Sequence, residues 1–433
     1  MDFIVEPSIV GEATIEVPGD KSISHRALLL GSIAEGRTNI SGFLAGEDCL
    51  ATLTAMTRMG VDIDQVDATE IVVHGVGLYG LREADSPLDL GNSGTAMRLL
   101  AGLLSGQSFT SVLTGDQSLA SRPMQRVIAP LTEMGASIDS HSGKPPLTIT
   151  GHNPLQPIDY ELPVASAQVK SAILLAGLYA DGVTRVTEPA VTRDHTERML
   201  GSMGGVLETN GSRIGLRGQQ RLKGCHIQVP ADLSSAAFVI LAALIADDAD
   251  VLIRNVGVNP TRTGIIDILQ SMGGDISLEY PRLFGREPVA DLRVRSSKLH
   301  GGPVDPALVS LAIDEFPVLF VAAGAARGHT VFSGIGELRV KESDRIAAMA
   351  IGLRTLGIDV DESADGAVVH GGSFSGGSVD SHGDHRVAMA LAVAGTIAAK
   401  PVTVRNVAAV DTSFLGFPDC MAALGAQIAV AGR

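Results

Sequence analysis

The 433-residue chain sets 33 Lys+Arg against 48 Asp+Glu, a net charge of −15, and is 45% hydrophobic but only 3% aromatic. Surplus acid and few rings exclude a nucleic-acid binder, which needs a basic surface and stacking side chains, and the apolar fraction excludes a disordered chain. Glycine numbers 50, where average usage of about 7% would give about 30, so many tight turns and two or three domains are expected.

The first residues, Met1–Glu6, lack the positive start and apolar run of a secretory signal. Next comes Pro18-Gly19-Asp20-Lys21-Ser22-Ile23-Ser24-His25-Arg26, a polar helix start. Free backbone N–H groups and the helix dipole favour anions there, and Lys21 and Arg26 add charge. Taken alone, it is equally a capped helix with two solvated cations. The same form returns at Gly91-Asn92-Ser93-Gly94-Thr95-Ala96-Met97-Arg98, at Ser121-Arg122-Pro123-Met124 and at Ser166-Ala167-Gln168-Val169-Lys170-Ser171. Arg193-Asp194-His195-Thr196-Glu197 reads by itself as a salt-bridged helix start. In the C-terminal half, Asp314-Glu315 precedes an apolar helix, Arg339–Arg345 packs three cations and two carboxylates into seven residues, and Gly383-Asp384-His385-Arg386 opens a last apolar helix.

Two patterns alternate along the chain. In one, a polar start leads into an Ala/Leu helix, a short turn and a β-branched strand: Lys21–Phe43, Gly91–Gly115, Ser166–Pro189, Leu233–Val256, Asp314–Ile335 and Gly383–Val407. In the other, a helix ends in Met-Gly or Leu-Gly before a short strand, at Gly60, Gly135, Gly204, Gly273, Gly357 and Gly425. Each glycine sits where a helix end needs a left-handed residue. The sequence therefore predicts six α/β units spaced roughly 70 to 80 residues apart, longer than a solenoid period of about 20 to 50. Three on each side of residue 230 would form two similar lobes, with a cleft suited to a small molecule. The longest apolar runs, Ala236–Ala246 and Val387–Ala399, fall short of the ~18–20 residues of a membrane span. Cys49, Cys225 and Cys420 have no disulfide or zinc spacing. A soluble cytoplasmic protein is expected. Cations from both halves would surround one or two polyanionic ligands, with carboxylates among them able to exchange protons.

Taken in order, P-G-D-K-S-I-S-H-R, G-N-S-G-T-A-M-R, S-R-P-M, S-A-Q-V-K-S-A, N-P-T-R (Asn259–Arg262), R-V-K-E-S-D-R and D-H-R resemble the 5-enolpyruvylshikimate-3-phosphate (EPSP) synthase family, class II branch. The resemblance runs nearly end to end. It implies the enolpyruvyl transferase fold, a two-lobed inside-out α/β barrel of six βαβαββ-type repeats. Residues 1–19 with 230–433 would form the C-terminal lobe and residues 20–229 the N-terminal lobe, hinged near residues 19 and 230, with the active site in the cleft. The implied reaction moves the enolpyruvyl group of phosphoenolpyruvate to the 5-hydroxyl of shikimate 3-phosphate and releases phosphate.

By the same resemblance Asp314 is the base, Glu342 the acid, and Lys21 assists. Lys21, Gly94, Arg122, Gln168, Arg345 and Arg386 match phosphoenolpyruvate positions. Lys21, Ser22, Arg26, Ser166, Ala167, Gln168, Arg193, Asp314 and Lys341 match shikimate 3-phosphate positions. No metal or organic cofactor, no nucleic-acid or membrane partner, and a monomer are implied. Class I members carry a Lys where this chain has Thr412, so another residue must supply that cation. Gly94, where some class II members have Ala, is expected to leave room for the inhibitor glyphosate. The rival enzyme is UDP-N-acetylglucosamine enolpyruvyl transferase, many of whose members use a loop cysteine that Thr114–Met124 lacks. The rival of another class is a non-catalytic anion-binding scaffold.

Overall fold

A computed structural model describes residues 1–432. It divides the chain into two compact units. The N-terminal unit comprises Gly19–Val229 with Leu283–Glu287, and the C-terminal unit comprises Met1–Pro18, Pro230–Arg282 and Pro288–Arg433.

The N-terminal unit holds helices α1 (Lys21–Ile33), α2 (Glu47–Arg58), α3 (Gly94–Ser105), α4 (Gln117–Ser121), α5 (Gln125–Glu133), α6 (Ala167–Gly177) and α7 (His195–Ser202). The C-terminal unit holds α8 (Leu233–Ile245), α9 (Gly264–Ser271), α10 (Val309–Ala312), α11 (Phe316–Ala325), α12 (Arg345–Thr355), α13 (His385–Thr396) and α14 (Phe417–Ala423). All six predicted polar starts open a buried helix: α1, α3, α6, α8, α11 and α13. These are buried around most of their circumference, with polar side chains confined largely to their first turns. The helices on which the six Met-Gly or Leu-Gly endings fall are α2, α5, α7, α9, α12 and α14. Every glycine concerned has positive φ, from 87° at Gly204 to 104° at Gly135.

Each repeat closes its own small sheet. In the N-terminal unit the strand after the buried helix sits between a parallel edge strand and an antiparallel hairpin: Thr110–Thr114 pairs in parallel with Leu88–Asp89 and antiparallel with Lys144–Thr150. The other two sheets there repeat this order. In the C-terminal unit the first residues supply missing strands. Asp2–Glu6 lies antiparallel between Val402–Arg405 and Gln427–Ala431, and Glu12–Ile15 pairs in parallel with Asp250–Gly257. One sheet has three strands, His329–Ser333, Gly366–His370 and Val360–Ser363, its parallel edge reduced to isolated bridges at His300 and Pro303.

One helical stretch is longer than the apolar runs of the sequence suggest. Pro306–Ala325 runs for 20 residues and is apolar enough to span a membrane by composition alone. It is α10 and α11 joined through 3-10 turns, and most of it is buried. That is the character of a core helix. The three cysteines are free thiols.

Candidate active site

Five of the six buried helices carry a side-chain cap at their start, and α11, preceded by Glu315, has none. Asp20, Ser93 and Ser166 accept hydrogen bonds from the backbone N–H of Ile23, Ala96 and Val169 at the starts of α1, α3 and α6. Asp232 and Asp384 do the same for α8 and α13. Such caps satisfy donors that a helix start leaves unpaired.

In the N-terminal unit these starts meet. Gln168 Nε2 donates to Thr95 Oγ1 at 2.8 Å, and Arg98 Nη1 donates to Gln168 Oε1 at 2.8 Å. Arg26 is buried; its Nε donates to Thr196 Oγ1 and its Nη2 to Ser171 Oγ, both at 2.7 Å, while Nη1 reaches the Ser22 carbonyl at 2.9 Å. Burial lowers its pKa to about 10, with Glu197 acting against that shift. Lys21 pairs with Asp48 at 2.9 Å, and both side chains are largely buried. Arg122 is buried at the end of α4, donating to Asn92 Oδ1 and to Ser118 Oγ. Ser22, Ser166, Ala167 and Arg193 are half-buried. Gly94 opens α3, and a Cβ there would lie 2.8 Å from Arg98 Nη1 and 3.1 Å from Arg122 Nη1.

Behind these residues stands a second row that the motifs only partly announced. Lys170, fully buried, pairs with Glu188 at 3.0 Å and Glu197 at 2.8 Å. Burial raises the Glu188 pKa against the pull of Lys170. His195 Nδ1 lies 2.9 Å from Glu287 Oε1. His25 is fully buried with Nδ1 2.8 Å from Thr52 Oγ1, and burial depresses its pKa to about 3 even though Asp48 opposes the shift. This predicts a definite acid response. The unfolded imidazole titrates near the ordinary value of about 6.5, so below that pH the unfolded chain takes the proton first. The stability His25 contributes is complete above the unfolded value and is lost as pH falls toward the folded one, by up to about 1.4 kcal/mol per pH unit. Urea unfolding between pH 7 and 4 checks this. His25→Gln should flatten the slope of stability against pH over that range, and an unchanged slope would refute it.

The C-terminal unit gathers its carboxylates on one arginine. Arg345, 2% exposed, is 2.6 Å from Glu342, 2.8 Å from Asp384 and 3.5 Å from Asp314. Burial alone would lower the Arg345 pKa, but Asp384, Glu342 and Asp314 together hold it above the ordinary guanidinium value. Burial likewise opposes ionisation of Asp384, and Arg345 overcomes it, keeping that carboxyl below its usual range. Lys341, half-buried, is lowered by burial while Asp314, Glu337 and Glu342 act to raise it. Arg386 donates through Nη1 to the Asp314 carbonyl at 2.9 Å. Thr412 donates to the Ala409 carbonyl inside a 3-10 turn. Among the described residues no group of three or more His, Cys, Asp or Glu is placed to hold a metal ion.

Asp314, Glu342, Arg345 and Arg386 are thus brought together, as are Gly94, Gln168 and Arg122 through the Arg98 and Asn92 side chains. The motifs contained Arg98, Ser171, Thr196, Arg262 and Asp384 without marking them as contacts. Asp48, Ser234 and Glu287 lie outside every quoted motif and had no signal of their own.

A family model for EPSP synthase (3-phosphoshikimate 1-carboxyvinyltransferase) matches residues 7–421. The 3-phosphoshikimate 1-carboxyvinyltransferase of Alkalilimnicola ehrlichii is 59% identical over 419 residues, covering 96% of this chain and 94% of that protein. The protein of the same name from Methylococcus capsulatus is 55% identical, covering 99% and 98%. The solved EPSP synthase of Acinetobacter baumannii superposes with a TM-score of 0.89 at 49% identity, covering 99% of this chain and all of that one. Six paired repeats, anion-suited helix starts and a close sequence match along the whole length agree: the chain belongs to the EPSP synthase family, the 3-phosphoshikimate 1-carboxyvinyltransferases.

Proposed function

We propose that this chain transfers the enolpyruvyl group of phosphoenolpyruvate to the 5-hydroxyl of shikimate 3-phosphate, with Asp314 as base and Glu342 as acid. The observation that carries the reading is the single buried guanidinium of Arg345, which holds Glu342 at 2.6 Å and Asp314 at 3.5 Å. Two proton-transfer groups fixed on one cation meet the demand of the chemistry. One proton must leave the attacking hydroxyl while another is added to the methylene carbon of the donor.

Asp314 takes the hydroxyl proton as the oxygen bonds to C2 of phosphoenolpyruvate, and Glu342 protonates C3. The resulting tetrahedral adduct carries a methyl group. Glu342 then removes a methyl proton as the C2–O bond to phosphate breaks, and the departing phosphate takes up the proton held by Asp314, which restores the vinyl group and returns both carboxyl groups to their starting states. Both substrates carry carboxylate and phosphate, so arginine forks suit either group. Arg122, Gln168, Arg345 and Arg386 are assigned to phosphoenolpyruvate, with Lys21 neutralising charge during transfer. Ser22, Arg26, Ser166, Ala167, Gln168, Arg193 and Lys341 are assigned to shikimate 3-phosphate. Fixed cations provide the electrostatic stabilisation. This assignment is that of a cytoplasmic monomer.

Phosphate release tests it. Release should require phosphoenolpyruvate together with shikimate 3-phosphate, and the UDP-sugar acceptor should give none; release with the UDP-sugar instead would overturn the assignment. Gly94 adds a second expectation. In Gly94→Ala the new methyl must displace the ends of Arg98 and Arg122. Such displacement of anion-binding groups should raise the inhibition constant of glyphosate by about tenfold or more, and the KM of phosphoenolpyruvate by less. Competition assays on the two proteins check this, and equal inhibition constants would contradict it.

A further inference from the structure

A buried carboxylate beside an arginine assigned to an anionic substrate requires a reason, because it repels that substrate and is costly to bury unless paired. Glu315 is such a group, 2% exposed and adjacent to Asp314. All its polar contacts fall on one oxygen, Oε1. Ser234 Oγ donates to it, and Arg262 Nη2 and Arg386 Nη1 each lie 3.4 Å away. Ser234 Oγ in turn accepts from Arg262 Nη2 at 2.6 Å and Arg386 Nη2 at 3.3 Å. Arg262 also faces Asp232 at 3.6 Å. Ser234 lies in the first turn of α8, Glu315 immediately precedes α11, and Arg386 lies in the first turn of α13. One carboxylate oxygen therefore ties together the starts of all three buried helices of this unit.

We propose that Glu315, held by Ser234, is a positioning residue that fixes the direction of Arg386 toward phosphoenolpyruvate. The inference rests on the assignment of Arg386 to that substrate made above. Arg386 contacts Glu315 and Ser234 with its two terminal nitrogens while Nη1 also holds the Asp314 carbonyl. A long side chain with free rotamers must be ordered before it binds, and that ordering weakens binding unless the protein has already supplied it. Glu315 supplies it in the free enzyme. Its position on the edge of the guanidinium that faces Ser234 leaves the remaining N–H groups for a ligand. The same carbonyl contact ties the arginine to the backbone of the proposed base, so donor binding and base placement share one anchor. Arg262, which has no assigned role in catalysis, balances the charge: two guanidiniums stand against Glu315 and Asp232.

The test is steady-state phosphate release by the full chain, with phosphoenolpyruvate varied at saturating shikimate 3-phosphate and then the reverse. Loss of one charged partner predicts that Glu315→Gln raises the KM of phosphoenolpyruvate by about tenfold, with the KM of shikimate 3-phosphate within about twofold. Glu315→Asp keeps the charge and should recover part of the loss. Ser234→Ala keeps the carboxylate with both arginines and should raise the same KM by about threefold. It decides the matter by itself if Glu315→Gln does not fold. An unchanged KM of phosphoenolpyruvate in these variants, or an equal rise in both KM values, overturns the inference. Arg386→Lys separates the two levels. If it raises the KM of phosphoenolpyruvate while the Glu315 and Ser234 variants do not, the positioning role falls and the assignment of Arg386 stands; if it too has no effect, the assignment itself falls and the inference with it.

Discussion

Glu342→Gln should lower turnover by about 10²–10⁴-fold, the usual contribution of a placed proton-transfer group, with shikimate 3-phosphate binding changed little. The amide keeps the size of the side chain and a contact to Arg345, 2.6 Å away in the native chain, but cannot give a proton to the donor carbon. Asp314→Asn should lose a similar factor for the opposite transfer. Calorimetric titration with shikimate 3-phosphate, set beside the turnover assay, separates chemistry from binding. An anion-binding scaffold without catalysis predicts that both variants behave like the native chain. A fall in binding as large as the fall in turnover would show that the carboxylates hold ligand and do not move protons.

Removing the hub is expected to cost folding itself. Arg345→Met leaves Asp384, which is fully buried, without its main counter-charge, and strips the same cation from Glu342 and Asp314. Breaking a buried ion pair from one side typically destabilises by about 3–5 kcal/mol. The pH dependence gives the mechanism away. Asp384 is held below its ordinary pKa by Arg345 despite burial. Its contribution is therefore present above the unfolded carboxyl value of about 4 and is lost as pH falls through the folded value. Without Arg345 that folded value rises, so the acid limit of stability should move to higher pH. Urea unfolding of both proteins at neutral and acid pH measures the two effects together. A variant as stable as the native chain, with the same acid limit, would contradict the role given to Arg345.

The repeat architecture was legible because its signals are local. A polar helix start, a buried helix and a glycine that ends the companion helix are each signals of a few neighbouring residues, and all six pairs appear where the pattern put them. The sheet closure was not legible locally. Asp2–Glu6 pairs with strands near residues 403 and 429, and periodicity carries no information about partners that distant. The site divides in the same way. Lys21, Arg26, Arg345 and Arg386 stood out because a cation at a capped helix start needs an explanation. Asp48, Ser234 and Glu287 did not stand out, since their significance comes from what they touch and not from their neighbours in the chain. Glu315 is intermediate. It was visible as an acid beside Asp314, but only the geometry shows that its carboxylate faces two arginines and a serine.

In the proposed mechanism a proton is added to and then removed from the methylene carbon of phosphoenolpyruvate, with Glu342 as the carrier. Running the reaction in D₂O and observing the vinyl group of the product by NMR tests this directly. Deuterium should enter the product vinyl CH₂, because the tetrahedral adduct passes through a methyl group that has taken one hydron from the enzyme. Product formed at the native rate with no deuterium in that group would contradict it, since the donor carbon would then never have been protonated.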